Sequence, residues 1–449
     1  MCDREPRASA RGEVRHADPW KSLIVRLTAI GSRMGHRAGV PVASSCGCRD
    51  SMIARVLFER RGCAMKRRNF VKVLAAASVG VVAGLPDGAG ARPRVANAQQ
   101  TTGFPRGTGR MVVGCQSRNR TSRENLEFLA RHGVYHMDPG APRFIDGVGW
   151  DIGDAQRQVE EARKHGITVQ AFHLPLSSAG IDRVVVPNVM LGRSPERDRE
   201  IEMLQQMIEV AGRAGVPMLL YNTIILPILR TGRTVDPARG NASYSTWNYG
   251  EAVRRGMHEE PITGGGADVD EIYERITYLL DRLLPVAEEY RVRLGNHIAD
   301  PPAPAGYRGV TRWNSPDVFA GIQRFAQLYD SEYHGFNLCL GSTAEGLRDP
   351  RTEIIPIIEW IGARRQIFNI HLRNIKGGWN DFQEVYPDNG DMDFVEVVRT
   401  LRKVGYDGML MPDHVPQHEA DGARDQGFAF AYGHTKAILQ MVYGWNAYA

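Results

Sequence analysis

Four residues of metal-ligand type stand at the ends of four successive short apolar runs. The runs VRLGNH, GFNLCL, IFNIHL and GMLMPD bring His297, Cys339, His371 and Asp413 to or near their C-terminal ends. Taken singly, a histidine or cysteine at such a position is usually a core residue, and an aspartate after proline is usually a turn or cap residue. Imidazole, thiolate and carboxylate groups together suit Mn, Fe, Co or Zn. Their succession along the chain predicts one divalent metal site.

The elements that must position these residues alternate along the chain from about Gly109. Short apolar runs are followed by longer amphipathic stretches, among them 194–215, 270–290 and 393–405. The runs predict eight strands, at 110–115, 133–138, 167–173, 216–222, 292–297, 335–340, 367–372 and 408–413. Eight strand–helix units predict an α/β fold, the (β/α)8 TIM barrel, with an open doubly wound sheet as the alternative. Because the C-terminal ends of barrel strands face one opening, the four residues are expected to converge there.

Further candidates for chemistry lie beside these strand ends. His414 adjoins Asp413 and could act as general acid or base, since an unperturbed histidine has a pKa near 6.5; the alternative is a supporting hydrogen-bond donor. Arg373 could hold an anionic substrate, or form a salt bridge instead. Arg230 and Arg233 could bind the same anion from a long polar segment, 226–268, which is expected to be a lid over the site or an oligomer contact. Asp300 is a weaker candidate.

The N-terminal region resembles an export signal. Lys66, Arg67 and Arg68 precede an apolar run at 70–85, and the small residues at 96–98 suit a signal peptidase. The string KRRNFVK resembles the twin-arginine motif. We therefore expect residues 65–98 to be a signal peptide and the protein to be periplasmic or exported, with an uncleaved membrane anchor as the alternative. Translation is expected to begin at Met65, so that 1–64 is a spurious extension and 105–449 is the catalytic domain.

The positive net charge of the chain is carried by this leader. Residues 1–98 carry 18 Lys or Arg and 7 Asp or Glu, a net charge of +11, so the remainder of a chain whose total is +5 carries −6. A net acidic remainder excludes a nucleic-acid or anionic-membrane binding surface of the usual basic kind, and no stable membrane span is expected after cleavage. Four of the six cysteines also lie in the leader, which leaves Cys115 and Cys339 and at most one disulfide.

Several motifs resemble the mannonate dehydratase family of metal-dependent sugar-acid lyases. The resembling segments are YN at 221–222, RT at 230–231, NHIADPP from Asn296, NLCLGS from Asn337, IHLRNIKG from Ile370, GDMDFVEVVRTL from Gly390 and MPDHVP from Met411. The resemblance implies a xylose-isomerase-like barrel and a divalent metal, Mn²⁺ or Fe²⁺, on His297, Cys339, His371 and Asp413. It implies His414 as the acid/base residue and a sugar-acid site that includes Asn222, Arg230, Arg373 and Asp300. The expected reaction dehydrates D-mannonate or a related aldonate to a 2-keto-3-deoxy acid, in a chain that could form a homo-oligomer.

The sequence departs from the family pattern at several positions. Ile298 and Ala299 replace the Pro-Asp that follows the first ligand histidine, and Val415 replaces the glycine after the Pro-Asp-His segment. Phe428 stands where the family has an active-site tyrosine. Tyr432 lies one helical turn later and is the candidate to supply the missing hydroxyl as the second catalytic group.

Two other functions fit the same pattern. A sugar isomerase or epimerase of the xylose-isomerase-like barrels would move a proton without losing water, although such enzymes usually bind metal through two carboxylates. A non-catalytic sugar-acid binding protein would explain the missing tyrosine at Phe428. Loss of the mass of water from the substrate separates the lyase from the first alternative, and turnover separates it from the second.

Overall fold

A ring of parallel strands lies at the centre of the protein. The computed structural model describes residues 109–116 and 120–447, and the leader predicted from residues 1–98 lies outside this part. The strands are β1 (Val112–Gln116), β2 (His136–Asp138), β3 (Phe144–Ile145), β4 (Gly149–Trp150), β5 (Thr168–Val169), β6 (Phe172–His173), β7 (Met218–Tyr221), β8 (Gly232–Asp236), β9 (Ala242–Asn248), β10 (Arg293–His297), β11 (His334–Cys339), β12 (Ile367–His371), β13 (Asn374–Gly378), β14 (Asp381–Val385) and β15 (Met409–Met411).

Nine of these strands form the barrel wall, in the order β5-β2-β1-β15-β12-β11-β10-β7-β6. Every neighbouring pair in this order is parallel. The terminal members, β5 and β6, are separated in sequence only by Gln170 and Ala171, so they are two segments of one strand position. The wall therefore returns to its start after eight positions. This confirms the predicted (β/α)8 barrel, and the alternative of an open doubly wound sheet is wrong.

Helices cover the outside of the wall and connect its strands. They are α1 (Arg123–Arg131), α2 (Ile152–Lys164), α3 (Pro187–Leu191), α4 (Glu196–Arg213), α5 (Tyr249–Arg254), α6 (Val269–Tyr290), α7 (Val318–Ala326), α8 (Leu340–Ala344), α9 (Pro350–Ala363), α10 (Phe394–Lys403) and α11 (Asp425–Tyr443). Within the ranges described, no helix combines the length and the apolar character needed to cross a membrane.

The sequence folds in this way because its apolar residues are spaced for two different burial patterns. All residues of β7, β11 and β12 are buried, as expected of parallel strands covered on both faces. In α10, Phe394, Val397, Val398 and Leu401 are buried, which is the spacing of one helix face. Asp393 caps that helix by accepting hydrogen bonds from the backbone N–H groups of its first turn.

The segment 226–268, predicted as a lid or an oligomer contact, contains regular structure. Its strands β8 and β9 join β13 and β14 in a four-stranded antiparallel sheet, in the order β13-β14-β9-β8. Because β13 and β14 directly follow barrel strand β12, this sheet rises from the end of the barrel where the predicted ligands lie. The prediction missed these strands because turn-forming and polar residues dominate the segment and hide its alternation.

Candidate metal centre and catalytic site

The four predicted ligands come together at the C-terminal end of the barrel. His297, Cys339 and His371 are the last residues of β10, β11 and β12, and Asp413 lies two residues beyond β15. One ligand atom from each residue lies within 4.8 Å of those of the other three. The Cys339 Sγ is 3.7 Å from Asp413 Oδ2, and His371 Nδ1 is 3.5 Å from the same oxygen. The parallel register of the strands accounts for this convergence, since neighbouring ends occupy one rim.

Each of the two histidines has one ring nitrogen in contact with a neighbouring protein group. His297 Nδ1 lies 2.6 Å from the backbone oxygen of Ile298. A carbonyl can only accept, so Nδ1 carries the hydrogen and Nε2 keeps its lone pair, the arrangement usual for metal-binding histidines. His371 Nε2 lies 3.2 Å from Asn337 Nδ2, while its buried Nδ1 faces Asp413 Oδ2 at 3.5 Å.

The thiol and the carboxylate of this group favour their anionic forms. Burial alone would raise the pKa of the Cys339 thiol, but the Arg373 guanidinium and the neighbouring His297 and His371 side chains hold it well below its ordinary value. Burial likewise opposes ionisation of Asp413, and the charges of His414 and Arg373 keep its pKa well below the usual range. These two anions act in turn on His371: burial would lower its pKa, yet they raise it to about 9.

This donor set fits a divalent transition metal. Ligand atoms about 2.0–2.3 Å from one ion lie at most about 4.6 Å apart, which is close to the 4.8 Å within which these four atoms lie. The set contains two imidazoles, one thiolate and one carboxylate, and the lone pair of His297 is directed away from its backbone partner. A buried group with two anions attracts a cation. His297, Cys339, His371 and Asp413 therefore form a possible metal-binding cluster.

A second buried cluster lies beside the first and consists of three acids and two arginines. Arg373 contacts Glu345 at 2.8 Å, Glu384 at 2.7 Å and Asp300 at 2.9 Å. Arg230 contacts the same three carboxylates, with 2.6 Å to Asp300, 3.3 Å to Glu345 and a short contact to Glu384. The acidic oxygens lie close enough together to suggest a cation site. The two guanidiniums already supply the cations, so this cluster is an ion-pair network.

Burial and the two guanidiniums act differently on the three carboxyl groups of this network. Burial and the neighbouring Asp300 carboxylate raise the pKa of Glu345 well above its ordinary value. Burial also acts on Asp300 and Glu384, but Arg230 and Arg373 outweigh it and lower the pKa of both. The neutral form is thus favoured at Glu345 and the anionic form at Asp300 and Glu384.

Arg373 connects the two clusters. Its Nη2 lies 3.6 Å from Cys339 Sγ, and its Nε lies 3.5 Å from Asp413 Oδ2. The side chain passes directly over Gly341, where an added Cβ would lie 2.6 Å from Arg373 Nε. The glycine of the NLCLGS segment is therefore required by this close approach. Its function is steric, since it allows the guanidinium to reach the network.

Three residues that were predicted to bind substrate form ion pairs within the protein. Arg230, Arg373 and Asp300 were expected to hold a sugar acid, but both arginines pair with Asp300, and the side chain of Arg373 is 1% exposed. The structure thus gives them ion-pair partners within the protein, which a substrate would have to displace. Asn222 follows β7 at the same end of the barrel and is buried, and its backbone N–H donates to the Leu176 carbonyl.

His414 lies at the wall of a cavity of about 190 Å³. Its Nδ1 is 3.2 Å from Glu384 Oε2, its Nε2 is 3.6 Å from Asp413 Oδ2, and its side chain is 34% exposed. Four arginines also line the cavity: Arg230, Arg233, Arg373 and Arg424. Arg233 donates to the Ser243 carbonyl and to the hydroxyls of Ser243 and Ser245. Within the described residues, neither Arg233 nor Arg424 forms an ion pair with an acid.

Tyr432, the other predicted catalytic residue, does not line this cavity. It is 1% exposed within the hydrophobic core, and its ring packs against Phe428 and Phe128 at centroid distances of 5.9 and 6.3 Å. The helix α11 carries both Phe428 and Tyr432 on its buried face. Spacing by one helical turn placed the tyrosine on the correct face of the helix, but that face packs into the core.

Two polar residues at strand ends were missed by the sequence analysis. Asp138 ends β2 and His173 ends β6, and the strand-end rule that identified the four ligands points to these residues as well. Glu345 and Glu384 were also missed. No local pattern marks them, because their partners lie far away in sequence; Arg230 and Glu384, for example, are 154 residues apart.

Comparisons with known proteins support one family. Residues 265–449 match the family model of D-mannonate dehydratase (UxuA). A mannonate dehydratase of Streptococcus pneumoniae (strain 70585) is 27% identical over 285 residues, covering 56% of this chain and 75% of the relative. One from Streptococcus uberis is 29% identical over 280 residues, covering 55% and 75%. The crystal structure of mannonate dehydratase from Streptococcus suis serotype2 superposes with a TM-score of 0.61 at 22% identity, covering 74% of this chain and 93% of that one.

These matches confirm the prediction of an enzyme similar to mannonate dehydratase. Mannonate dehydratases are hydro-lyases. The matched segment begins before β10 and includes all four ligand candidates as well as His414. The solved structure independently supports the barrel fold.

Proposed function

We propose that this chain is a metal-dependent hydro-lyase that converts D-mannonate, or a closely related aldonate, to the 2-keto-3-deoxy acid. The observation that carries the proposal is the convergence of His297, Cys339, His371 and Asp413 within the segment that matches the mannonate dehydratase family. These four residues would hold the ion, for which we propose Mn²⁺ or Fe²⁺. A bound divalent cation would supply Lewis acidity toward substrate oxygens.

The carboxylate end of the substrate is assigned to Arg233 and Arg424. Both line the cavity beside His414, and both lack an acidic partner in the part of the chain that is described. A guanidinium suits a planar carboxylate because it can donate two parallel hydrogen bonds. Arg230 and Arg373 instead keep the three buried carboxylates neutralised and so fix Glu384, the partner of His414.

His414 is assigned one of the two proton transfers. The Glu384 carboxylate lies next to Nδ1 and favours hydrogen at that atom, which leaves Nε2 to exchange a proton with the substrate. In the reaction, the C2–H bond breaks and its electron pair moves toward the carboxylate as an enediolate. The pair then forms the C2=C3 double bond as the C3–O bond breaks, and the hydroxyl leaves as water after taking a proton. The resulting enol takes a proton at C3 and loses its O–H proton, which gives the 2-keto-3-deoxy acid.

The direct test uses the metal-loaded protein with D-mannonate. Protein reconstituted with Mn²⁺ or Fe²⁺ at near-neutral pH should form a 2-keto-3-deoxy acid that is lighter than the substrate by one water. The control is protein treated with a chelator. If no product forms with Mn²⁺ and none forms with Fe²⁺, the specific reaction is refuted.

The same experiment addresses the isomerase or epimerase alternative. Those enzymes usually bind metal through two carboxylates, whereas this donor set has one, and the nearby Asp300, Glu345 and Glu384 are committed to arginines. A product of unchanged mass would support the alternative in place of dehydration.

We also infer export by the twin-arginine route, with 105–449 as the catalytic domain. The support is the sequence around Arg67 and Arg68, followed by its apolar run. Residues 65–98 fused to a folded reporter should direct it to the periplasm, and replacing both arginines with lysine should abolish this. Unchanged location of the double variant would contradict the inference.

A further inference from the structure

The proposed dehydration needs two proton-transfer groups, and His414 supplies one of them. One group must take the C2 proton and another must protonate the departing hydroxyl. The position of the family tyrosine holds Phe428, and Tyr432 packs in the core. The second group must therefore come from another part of the barrel mouth.

A buried aspartate holds a histidine at that mouth. His173 Nε2 lies 2.5 Å from Asp138 Oδ2. Asp138 is fully buried, whereas the side chain of His173 is 27% exposed. In the described part of the protein, neither of these two atoms has another polar partner, and no hydrogen bond joins the other ring nitrogen, Nδ1, to the protein. The pair therefore consists of a shielded carboxylate and an accessible imidazole.

The turn after β2 fixes both members of this pair. The backbone N–H of Gly140 donates to Asp138 Oδ1 at 2.8 Å, and the Gly140 carbonyl accepts from the backbone N–H of His173 at 3.3 Å. Gly140 has φ +91°, a conformation that favours glycine. One residue thus orients the carboxylate and also ties the histidine strand to it.

The topology directs this pair toward the candidate metal centre. Asp138 and His173 end the second and third strand positions of an eight-position ring, whereas Cys339 and His371 end the sixth and seventh. Positions four steps apart in such a ring are diametrically opposite. Because all the strands are parallel, both groups stand at the same opening, on facing sides. A substrate at the metal centre would lie between them.

We propose that His173, held by Asp138, is the second proton-transfer group of this enzyme; the proposal rests on the proposed dehydration. The carboxylate keeps hydrogen on Nε2, so Nδ1 exchanges the proton with the substrate, and it stabilises the charged ring that forms in the process. His414 and His173 then divide the two transfers from opposite sides of the substrate. Asp138 is a positioning residue that acts through His173.

Kinetics of two variants test the division of roles. His173→Gln should lower kcat on D-mannonate by about 100-fold or more, the usual contribution of a general acid or base, with KM and metal content near those of the unchanged protein. Asp138→Asn should lower kcat less and alter its pH profile. His165→Gln is the matched control, because His165 is the C-cap residue of α2 and its Nδ1 lies 3.1 Å from the Glu161 carbonyl. A kcat for His173→Gln within threefold of that of the control would overturn the proposal.

Proton exchange in D₂O distinguishes which transfer each histidine performs. If the two groups have separate roles, one of His173→Gln and His414→Gln should still exchange the C2 proton with solvent although it no longer dehydrates the substrate. The other should lose both reactions. Exchange retained in both variants, or lost in both, would contradict separate roles.

A measurement without turnover separates this proposal from the proposed function. In ¹⁵N-histidine NMR of the zinc-loaded protein, His173 should be the tautomer protonated at Nε2, and Asp138→Asn should change its signal. An Nδ1–H tautomer, or a signal unaffected by Asp138→Asn, would overturn the pair whatever the activity. A protein with the expected signal that cannot dehydrate D-mannonate would instead refute the proposed function.

Discussion

Replacing Arg373 with lysine tests whether this residue belongs to the protein's internal network or to a substrate site. Arg373 Nη1 bonds to Glu345 and Glu384, and Nη2 bonds to Asp300 and Ser342, all within 2.7–2.9 Å. Lysine keeps the positive charge but has a single nitrogen, which cannot span these partners. We therefore expect Arg373→Lys to lose at least two hydrogen bonds to charged groups.

The expected cost follows from the burial of these groups. Hydrogen bonds to charged groups contribute about 1.5–3 kcal/mol each, so two of them amount to about 3–6 kcal/mol. This agrees with the roughly 3–5 kcal/mol lost when a buried ion pair is broken. Such a loss is a large part of the total stability of an ordinary domain, about 5–15 kcal/mol.

Urea unfolding of metal-free protein, followed by tryptophan fluorescence and circular dichroism, measures this change. Metal is removed by chelation because a bound ion would add its own stabilisation to the folded state. The matched control is Arg233→Lys, an exposed arginine at the same cavity. Its free energy of unfolding should change by less than about 0.5 kcal/mol, while KM for D-mannonate rises.

The opposite pattern would refute this reasoning. If Arg373→Lys unfolds within about 1 kcal/mol of the unchanged protein and mainly raises KM, then Arg373 binds substrate, as its position after His371 suggested. The buried network would then tolerate the loss of its central cation.

Three further outcomes are expected. Gly341→Ala should displace the Arg373 guanidinium, because the added methyl would lie 2.6 Å from its Nε, and both unfolding free energy and metal content should fall. Cys339→Ser should bind metal more weakly, and equal metal content after dialysis would exclude the thiolate as a ligand. Buried His334 donates to the Phe325 carbonyl, and burial lowers its pKa to about 4. The unfolded chain therefore binds a proton at this histidine below about pH 6.5, whereas the folded chain does so only near pH 4. The free energy of unfolding should fall between pH 7 and pH 4 by about 3 kcal/mol more in the unchanged protein than in His334→Gln. Urea unfolding at each pH measures this difference.

The sequence by itself determined the barrel and the four ligand candidates. Both are readable because they depend on local patterns: apolar runs mark the strands, and the last residue of each run marks the rim. Parallel closure then brings these ends together without further information. This rule identifies His297, Cys339, His371 and Asp413 from the sequence alone, and it also points to Asp138 and His173.

Only the tertiary structure decided what the charged residues around the ligands do. Arg373 reads as a substrate-binding residue from its position after His371, yet its carboxylate partners lie 11, 28 and 73 residues away. Tyr432 has the right helical spacing to replace a lost tyrosine, but its side of α11 faces the core. Ion pairing and burial depend on which distant segments meet. No local sequence pattern encodes those long-range contacts. Which charged residues support the structure and which take part in chemistry is therefore decided only when the chain has folded.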